Sequence, residues 1–319
     1  MSTLLPRIAA LAAVLFAGAA AAQYPNKPIR LLVPFPAGGA ADIAARVVTQ
    51  PMSQALGQAI VIDNRPGADG AIAGDVVVKS PADGYTLFFA TSSAISAVPA
   101  LRKNPPYDPL TQFTPITSIG RLTVFVFVHS SVPAKSIAEL ITYARANPGK
   151  LEYGTGHTTG IVATAQFKSL TKTEMLHVPY KGDGPALADL VQGRIKVIFA
   201  TPTAVLGHVK EGRVRALATL LDSRSPLLPQ VPTMAESGLP KFNLAAWAGM
   251  FGPAGLSKEV VERISREANI ALKSPSVIEQ LARQGFMPVG STPESFAAFI
   301  KEQHVSWGQS IRDAGIQPD

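Results

Sequence analysis

The stretch Arg30-Leu31-Leu32-Val33-Pro34-Phe35-Pro36-Ala37-Gly38-Gly39-Ala40-Ala41-Asp42 decides the fold. The apolar run from Ile29 to Val33 suits a strand buried on both faces, the kind found in parallel sheets. Prolines and glycines from Pro34 to Gly39 break it. From Ala41 to Leu56 the apolar residues recur at helical spacing, with Ile43, Val47 and Leu56 among them. Working outward, Ile60-Val61-Ile62 predicts a second strand, followed by the turn-rich Asn64-Arg65-Pro66-Gly67. Ala71 to Lys79 reads as a helix and Thr86 to Ala90 as a third strand. This β-α-β-α-β order implies a parallel sheet with helices on its faces.

A second set begins near Val124, where Val124 to Val128 predicts a strand. Ser136 to Ala146 follows as a helix, with Ser136 as N-cap, Glu139 as capping-box partner and Pro148-Gly149 as its end. Leu151-Glu152-Tyr153 leads into Gly154-Thr155-Gly156-His157-Thr158-Thr159-Gly160, and helical character resumes from Ile161 to Leu170. Pro185 to Gln192 reads as a helix, and Ile195 to Phe199 and Val214 to Thr219 as strands. Ser223 to Lys241 is rich in Pro and Ser and reads as connection. Val260 to Leu272, Val277 to Gln284 and Pro293 to Asp313 are helical. The pattern predicts two α/β lobes, each a mostly parallel sheet flanked by helices. Residues 23–122 plus 243–319 form lobe 1 and residues 123–242 form lobe 2. The chain crosses between them near 120–125 and 220–245, and the C-terminal helices return to lobe 1.

The chain has 319 residues, of which 47% are apolar and 16% charged, so it is long enough for more than one core and too apolar for a disordered chain. Residues 1–22 read as a cleaved signal peptide: Arg7 is the charged n-region, Ile8 to Ala19 the apolar core, and Ala20-Ala21-Ala22 the small residues before the cut. That apolar stretch is shorter than the roughly 20 residues a spanning helix needs, so a periplasmic, secreted protein is expected. There is no cysteine, hence no disulfide framework, thiol nucleophile or cysteine zinc site. No G-x-S-x-G, Walker loop or H-E-x-x-H occurs. The histidines, His129, His157, His177, His208 and His304, lack metal-ligand spacing, and no metal or cofactor is expected. Gly67-Ala68-Asp69-Gly70 lacks the G-x-G start directly after a strand and reads as turn glycines. The formal charge of +7 is scattered, without the basic and aromatic interleaving that nucleic acid requires.

What remains is a device that occurs twice. Pro34 to Gly39 and Tyr153 to Gly160 each join a strand to a helix through glycines. Such turns expose backbone N–H groups at the positive end of a helix, a geometry that suits an anion. Thr155, Thr158 and Thr159 add hydroxyls. Read alone, either loop is equally a glycine turn that closes a βα connection. One in each lobe also fits a cleft that grips a ligand with an anionic group at each end. Charge-assisted hydrogen bonds contribute roughly 1.5–3 kcal/mol each, and a micromolar ligand needs about 8 kcal/mol net, so two carboxylates with several donors each can reach it after the costs of association.

Beyond these loops, further segments run along nearly the whole chain after residue 22. They are Tyr24-Pro25-Asn26-Lys27-Pro28-Ile29-Arg30, Asn64-Arg65-Pro66-Gly67-Ala68, Ala82-Asp83-Gly84-Tyr85-Thr86-Leu87, Val178-Pro179-Tyr180-Lys181-Gly182 with Pro185-Ala186, and Val231-Pro232-Thr233 with Glu236 and Gly238. In this order they resemble the periplasmic solute receptors of tripartite tricarboxylate transporters, the Bug receptor family. The resemblance implies a two-lobe, type II periplasmic-binding-protein (Venus-flytrap) fold, binding of a small carboxylate, and delivery to membrane permease subunits. It implies ligand contacts, some through water, at Phe35, Pro36, Ala37, Gly38 and Gly39, and at Thr155, His157, Thr158 and Thr159. Thr91, Ser92, Ser93, Lys181, Gly182 and Asp183 would line the cleft. The second loop departs from the family pattern: it is shorter, and Ile161 stands where a histidine is usual. Lys196 and Ala200 stand where acidic residues are common. No acid for a ligand ammonium is evident, which favours a plain di- or tricarboxylate, aliphatic or aromatic.

Asp42 falls in the first turn of its helix and reads as a loop-organising residue rather than a ligand contact. Phe35 reads equally as cleft wall or neighbouring packing, and Lys181 as a solvated lysine. His157 reads as exposed, and as a ligand contact. Trp247 and Trp307 read as core or hinge packing. The expected protein is a monomeric, non-catalytic solute receptor. Two rivals stand beside it: a receptor on the same fold that feeds a signalling partner, and an exported enzyme with His157 as base, which would need a nucleophile or an orienting carboxylate near His157 that the local sequence does not offer.

Overall fold

The computed structural model describes residues 24–180, 182–202, 205–242, 244, 246–313 and 315–318; the expected signal peptide and Lys181 lie outside them. The chain opens with β1 (Ile29–Val33), α1 (Ala40–Leu56), β2 (Ile60–Asn64), α2 (Ala71–Val78), β3 (Thr86–Thr91) and β4 (Phe113–Leu122). It continues with β5 (Phe125–His129), α3 (Ile137–Ala146), β6 (Glu152–Thr155), α4 (Thr158–Thr171), β7 (Leu176–Pro179), α5 (Asp183–Val191), β8 (Val197–Ala200), α6 (Leu206–Lys210) and β9 (Val214–Thr219). It closes with β10 (Trp247–Pro253), α7 (Lys258–Leu272), α8 (Pro275–Arg283), β11 (Phe286–Pro288) and α9 (Pro293–Asp313). Two sheets result, with strand orders β11-β4-β10-β3-β1-β2 and β7-β6-β8-β5-β9.

Strand β1 shows why its sequence needed no polar face. Ile29, Leu31 and Val33 pack with Ala44, Val48 and Met52 of α1 and with Ile264 and Ala268 of α7. Leu32 points the other way, among Val77, Phe88, Trp247 and Phe296. A strand covered on both faces reads as an unbroken apolar run. In α3 the Ser136 Oγ accepts the Glu139 N–H at 3.2 Å, and the Glu139 carboxylate reaches back to the N–H of Lys135, one residue before the cap.

The α/β, two-lobe architecture stands, but the sheets are mixed rather than mostly parallel. β1 is parallel to β2 and β3, and β6 to β7 and β8. β10 is antiparallel to β3 and β4, β11 to β4, and β5 to β8 and β9. The cause is connectivity. β4 leaves the first sheet for the second, β5 carries the chain away from the crossing, and β10 brings it back, so β5 and β10 must oppose their neighbours. β4, β7, β10 and β11 have no counterpart in the sequence pattern. β4 carries Pro115 and Gly120, and β10 carries Gly249 and Gly252, residues that weaken a strand signal. Gly249 is required by packing, since a Cβ there would collide with the Phe296 ring.

The C-terminal helices do not all stay with the first sheet. α7 and α8 pack on β1's core, whereas α9 straddles both lobes. Its Phe296 and Ile300 join the first lobe's core. Its Trp307 and Ile311 join the core formed by Val126, Phe167 and Phe199 of the second. Gln166 of α4 donates to Ser310 of α9 at 2.9 Å. Trp307 is fully buried, so Trp307→Ala is expected to destabilise the protein by about 3–5 kcal/mol. Denaturant unfolding checks this, and a loss below about 1 kcal/mol contradicts the packing described.

Candidate functional site

The direction of the strands gathers one set of loops. β1, β3, β6 and β7 all deliver their C-terminal ends to the side where the chain crosses between lobes, where open α/β sheets form their crevices. The loop after β1 runs from Pro34 to Gly39. Pro34 is buried, Phe35 and Gly39 are half-buried, and Pro36, Ala37 and Gly38 are exposed. Gly38 has φ +80°, a left-handed conformation that favours glycine. Gly39 is the N-cap of α1 and supplies no side-chain cap, so the first-turn amides of α1 lack intrahelical acceptors.

Asp42 is almost fully buried and ties this loop together. Its Oδ2 accepts the Gly38 N–H at 2.9 Å and Arg46 Nε at 3.0 Å. Its Oδ1 accepts Asn64 Nδ2 at 3.0 Å, and the same amide donates to the Phe35 carbonyl at 3.0 Å. Burial alone would raise the Asp42 pKa. The hydrogen bonds from Arg46, Gly38 and Asn64 outweigh it and hold the carboxyl below its usual range. Its contribution to stability is therefore present above the unfolded value of about 3.9 and is lost as pH falls through the lowered pKa.

The loop after β6 is built differently. Its glycine permits close approach, because a Cβ on Gly156 would collide with the backbone of Gly182 and Asp183. His157 is not an exposed, free side chain, as the sequence had suggested. It is the N-cap of α4, its Nδ1 accepting the Gly160 N–H at 3.0 Å. Its Nε2 lies 3.3 Å from Asp183 Oδ2, and the ring is only 25% exposed. In the neutral ring this fixes the proton on Nε2, donated to Asp183. Burial would lower the His157 pKa, but the charge and hydrogen bond of Asp183, with the field of Asp69 from the opposite lobe, raise it overall. The carboxylate absent from the local sequence thus comes from the start of α5.

Thr155, Thr158 and Thr159 are all buried. Thr155 Oγ1 lies 2.6 Å from His177 Nε2, a partner the sequence did not suggest. Burial, then the Lys168 charge, keeps His177 below its ordinary pKa. Ser92 and Ser93 are buried beyond the end of β3. The Ser93 and Thr159 hydroxyls meet across the lobes at 3.3 Å. Gly182, with φ +128°, and Asp183 stand beside the second loop.

One wall had been read only as turn glycines. Gly67, Ala68, Asp69 and Gly70 all have φ between +47° and +128°, a run of left-handed residues that is strained at the two non-glycines. A Cβ on Gly70 would press on Pro34 and Ala94. The Pro34 loop, this turn and the segment bearing Ser93 therefore form one packed surface, and Ser93 joins it to Thr159. The N-termini of α1 and α4 belong to this shared region, which gives it the positive end of two helix dipoles. Among the described residues no group of His, Asp and Glu is arranged to hold a metal ion.

A family model described as "Tripartite tricarboxylate transporter family receptor" matches residues 44–316. The chain belongs to that receptor family. It is 36% identical to protein BugT of Bordetella pertussis over 297 residues, covering 92% of this chain and 91% of the relative. A solved structure described as a periplasmic transporter superposes with TM-score 0.82 at 41% identity, covering 93% of this chain and 100% of the other. An R. palustris protein, Rpa4515, solved with adipate, superposes with TM-score 0.83 at 35% identity, with the same coverage. The family's two-lobe fold is the one described above, and its members are solute-binding receptors.

The His157–Asp183 pair makes a solution prediction. By NMR, the His157 ring should titrate above the unperturbed value of about 6.5, and Asp183→Asn should lower that pKa. A raised pKa means that the pair's stabilisation is complete below about pH 6.5 and is lost as pH rises through the folded value. A His157 titration unchanged by Asp183→Asn contradicts the pairing.

Proposed function

We propose that this receptor is periplasmic and non-catalytic, closing its two lobes on a small di- or tricarboxylate, aliphatic or aromatic, for delivery to the permease of a tripartite tricarboxylate transporter. The observation that carries the reading is the shared surface between lobes, where Ser93 meets Thr159 beside the N-termini of α1 and α4. Each helix start offers amide donors and a positive dipole end to one carboxylate. Phe35 to Gly39 hold one end of the ligand and Thr155 to Thr159 the other. Ser92, Ser93, Gly182 and Asp183 line the space between. The lobes comprise residues 23–122 with 243–319, and 123–242, hinged near 120–125 and 220–245, with the Trp307 end of α9 reaching into the second lobe's core. Ligand that touches both lobes favours the closed state by its differential affinity for it.

Asp183 supplies the carboxylate that the enzyme reading required, but it leaves no ring nitrogen of His157 free to act as the base. Both ring nitrogens are engaged, one with Gly160 and one with Asp183, so the ring is a cap and a strut rather than a base facing substrate. Periplasmic location is in keeping with the description of the superposed transporter.

The test is thermal unfolding and calorimetry of protein freed of co-purified ligand, against linear C4–C8 and aromatic di- and tricarboxylates. A ligand at 100 times its Kd stabilises by about 2.7 kcal/mol, so at least one acid should raise Tm by several degrees. An unchanged Tm across the whole panel contradicts the proposed function.

A further inference from the structure

α7 packs one face on the core of the first lobe, through Ile264, Ala268 and Ala271, and turns the other outward. Between that outer side and the connection from β11 to α9 lies a groove of about 680 Å³. Its walls are fixed by the fold. Asn269 of α7 donates through Nδ2 to the carbonyls of Ser265, at 2.7 Å, and Ser291, at 3.0 Å. Ser291 Oγ accepts the Ser118 N–H at 2.8 Å. Gly290 lets the connection lie close to α7, since a Cβ there would collide with Asn269 Oδ1. A groove held in this way needs no rearrangement to receive a partner.

The charged residues that line it are Glu262, Arg266 and Lys273. Glu262 is matched by Lys258 at 3.6 Å. Arg266 lies 3.4 Å from Glu267, but that carboxylate is shared with Arg263, also at 3.4 Å. Lys273 has no ion pair among the described residues. Positive charge is therefore in excess. Arg266, Ile270 and Lys273 stand at i, i+4 and i+7 and share one face of α7. Ile270 is 59% exposed, and Val289, on the facing connection, 41%. Exposed aliphatic side chains on both walls, beside unneutralised cations, give apolar anchors with a charged rim, the composition of an interface. A second groove, beside β9, lacks this surplus: Arg215 donates to the carbonyls of Ser130, Val132 and Ala134, and Glu236 accepts from Arg224 and the Thr233 N–H.

We propose that the groove between α7 and the β11–α9 connection docks an acidic segment of a polypeptide partner. Carboxylates of the segment face Arg266 and Lys273, and an apolar side chain sits against Ile270 and Val289. The inference rests on the reading of the protein as a receptor that delivers its ligand to a permease, and it names the surface that the membrane partner uses. None of the lining residues belongs to the loops at the crossing between lobes, so the groove stays open while the cleft is occupied. Its concave shape suits a peptide segment rather than a lipid surface.

The test is fluorescence polarisation of the protein with a labelled acidic peptide, Glu-Leu-Glu-Glu repeated in tandem, at low salt. The peptide should bind, and its counterpart with Lys in place of every Glu should not. Arg266→Gln combined with Lys273→Gln should weaken binding about tenfold, the loss expected of two exposed ion pairs. Ile270→Ser should weaken it at least about threefold. All three side chains are exposed, so the variants keep the fold. Lys103→Gln combined with Lys150→Gln removes the same charge from exposed positions elsewhere, and should change binding less than about twofold. Equal losses in the two double variants, or no binding of the acidic peptide, overturn the proposal. So does an effect of the Arg266 and Lys273 variants on binding to phosphatidylglycerol vesicles but not to the peptide. Thermal unfolding of the same proteins with the carboxylate panel keeps the two readings apart. A rise in Tm that persists where peptide binding fails leaves the receptor reading standing, and no rise in the wild type overturns the receptor reading itself.

Discussion

β4 carries the chain out of the first sheet and β10 carries it back, and the two lie side by side as antiparallel partners from Trp247 and Arg121 to Pro253 and Phe113. That pairing fixes the remaining geometry. In the first sheet the strands that run with β4 end at the crossing, and in the second those that run against β5 do, so the loops after β1, β3, β6 and β7 are delivered to one region without any long excursion. Each of the β1 and β6 loops opens a helix whose first amides have no partner within the helix. A fold that gathers several such starts in one place needs an anion there, or water, to satisfy them.

Two side chains of this region, Asp42 and His157, are held in fixed hydrogen bonds. Asp42 spends its two oxygens on Gly38, Arg46 and Asn64, which fixes the first loop before any ligand arrives. His157 caps α4 and receives Asp183 at its other nitrogen. Pre-ordered loops reduce the entropy lost on binding, which raises affinity without adding contacts. The α9 helix adds a second constraint, because its two halves belong to the cores of different lobes. Any relative motion of the lobes must bend or slide this helix at the stretch between Ile300 and Trp307.

Much of this was legible in the sequence where local rules govern. The unbroken run of β1, the helical spacing of α1 and the Ser136 cap depend on neighbours a few residues away, and each is written locally. Both glycine loops, and the family to which the chain belongs, could be read from the same residues. The antiparallel strands could not. β10 holds its place through Gly249 beneath the Phe296 ring, a contact between residues far apart in the chain. The site's internal wiring was hidden for the same reason. Nothing near Thr155 announces His177, nothing near His157 announces Asp183, and Asn64 reads as a turn residue until its amide is seen bridging Phe35 and Asp42. The Gly67–Gly70 turn was legible as glycines but not as a wall, since its role comes from Pro34 and Ala94 pressing on it.

The central claim is that amides from opposite lobes hold one carboxylate ligand together. Hydrogen exchange, with and without a dicarboxylate that raises Tm, tests it most directly. The account predicts slowed exchange in both 37–42 and 156–160 when that ligand saturates the protein. Slowing confined to one of these segments, or found only on outer faces of the lobes, contradicts it.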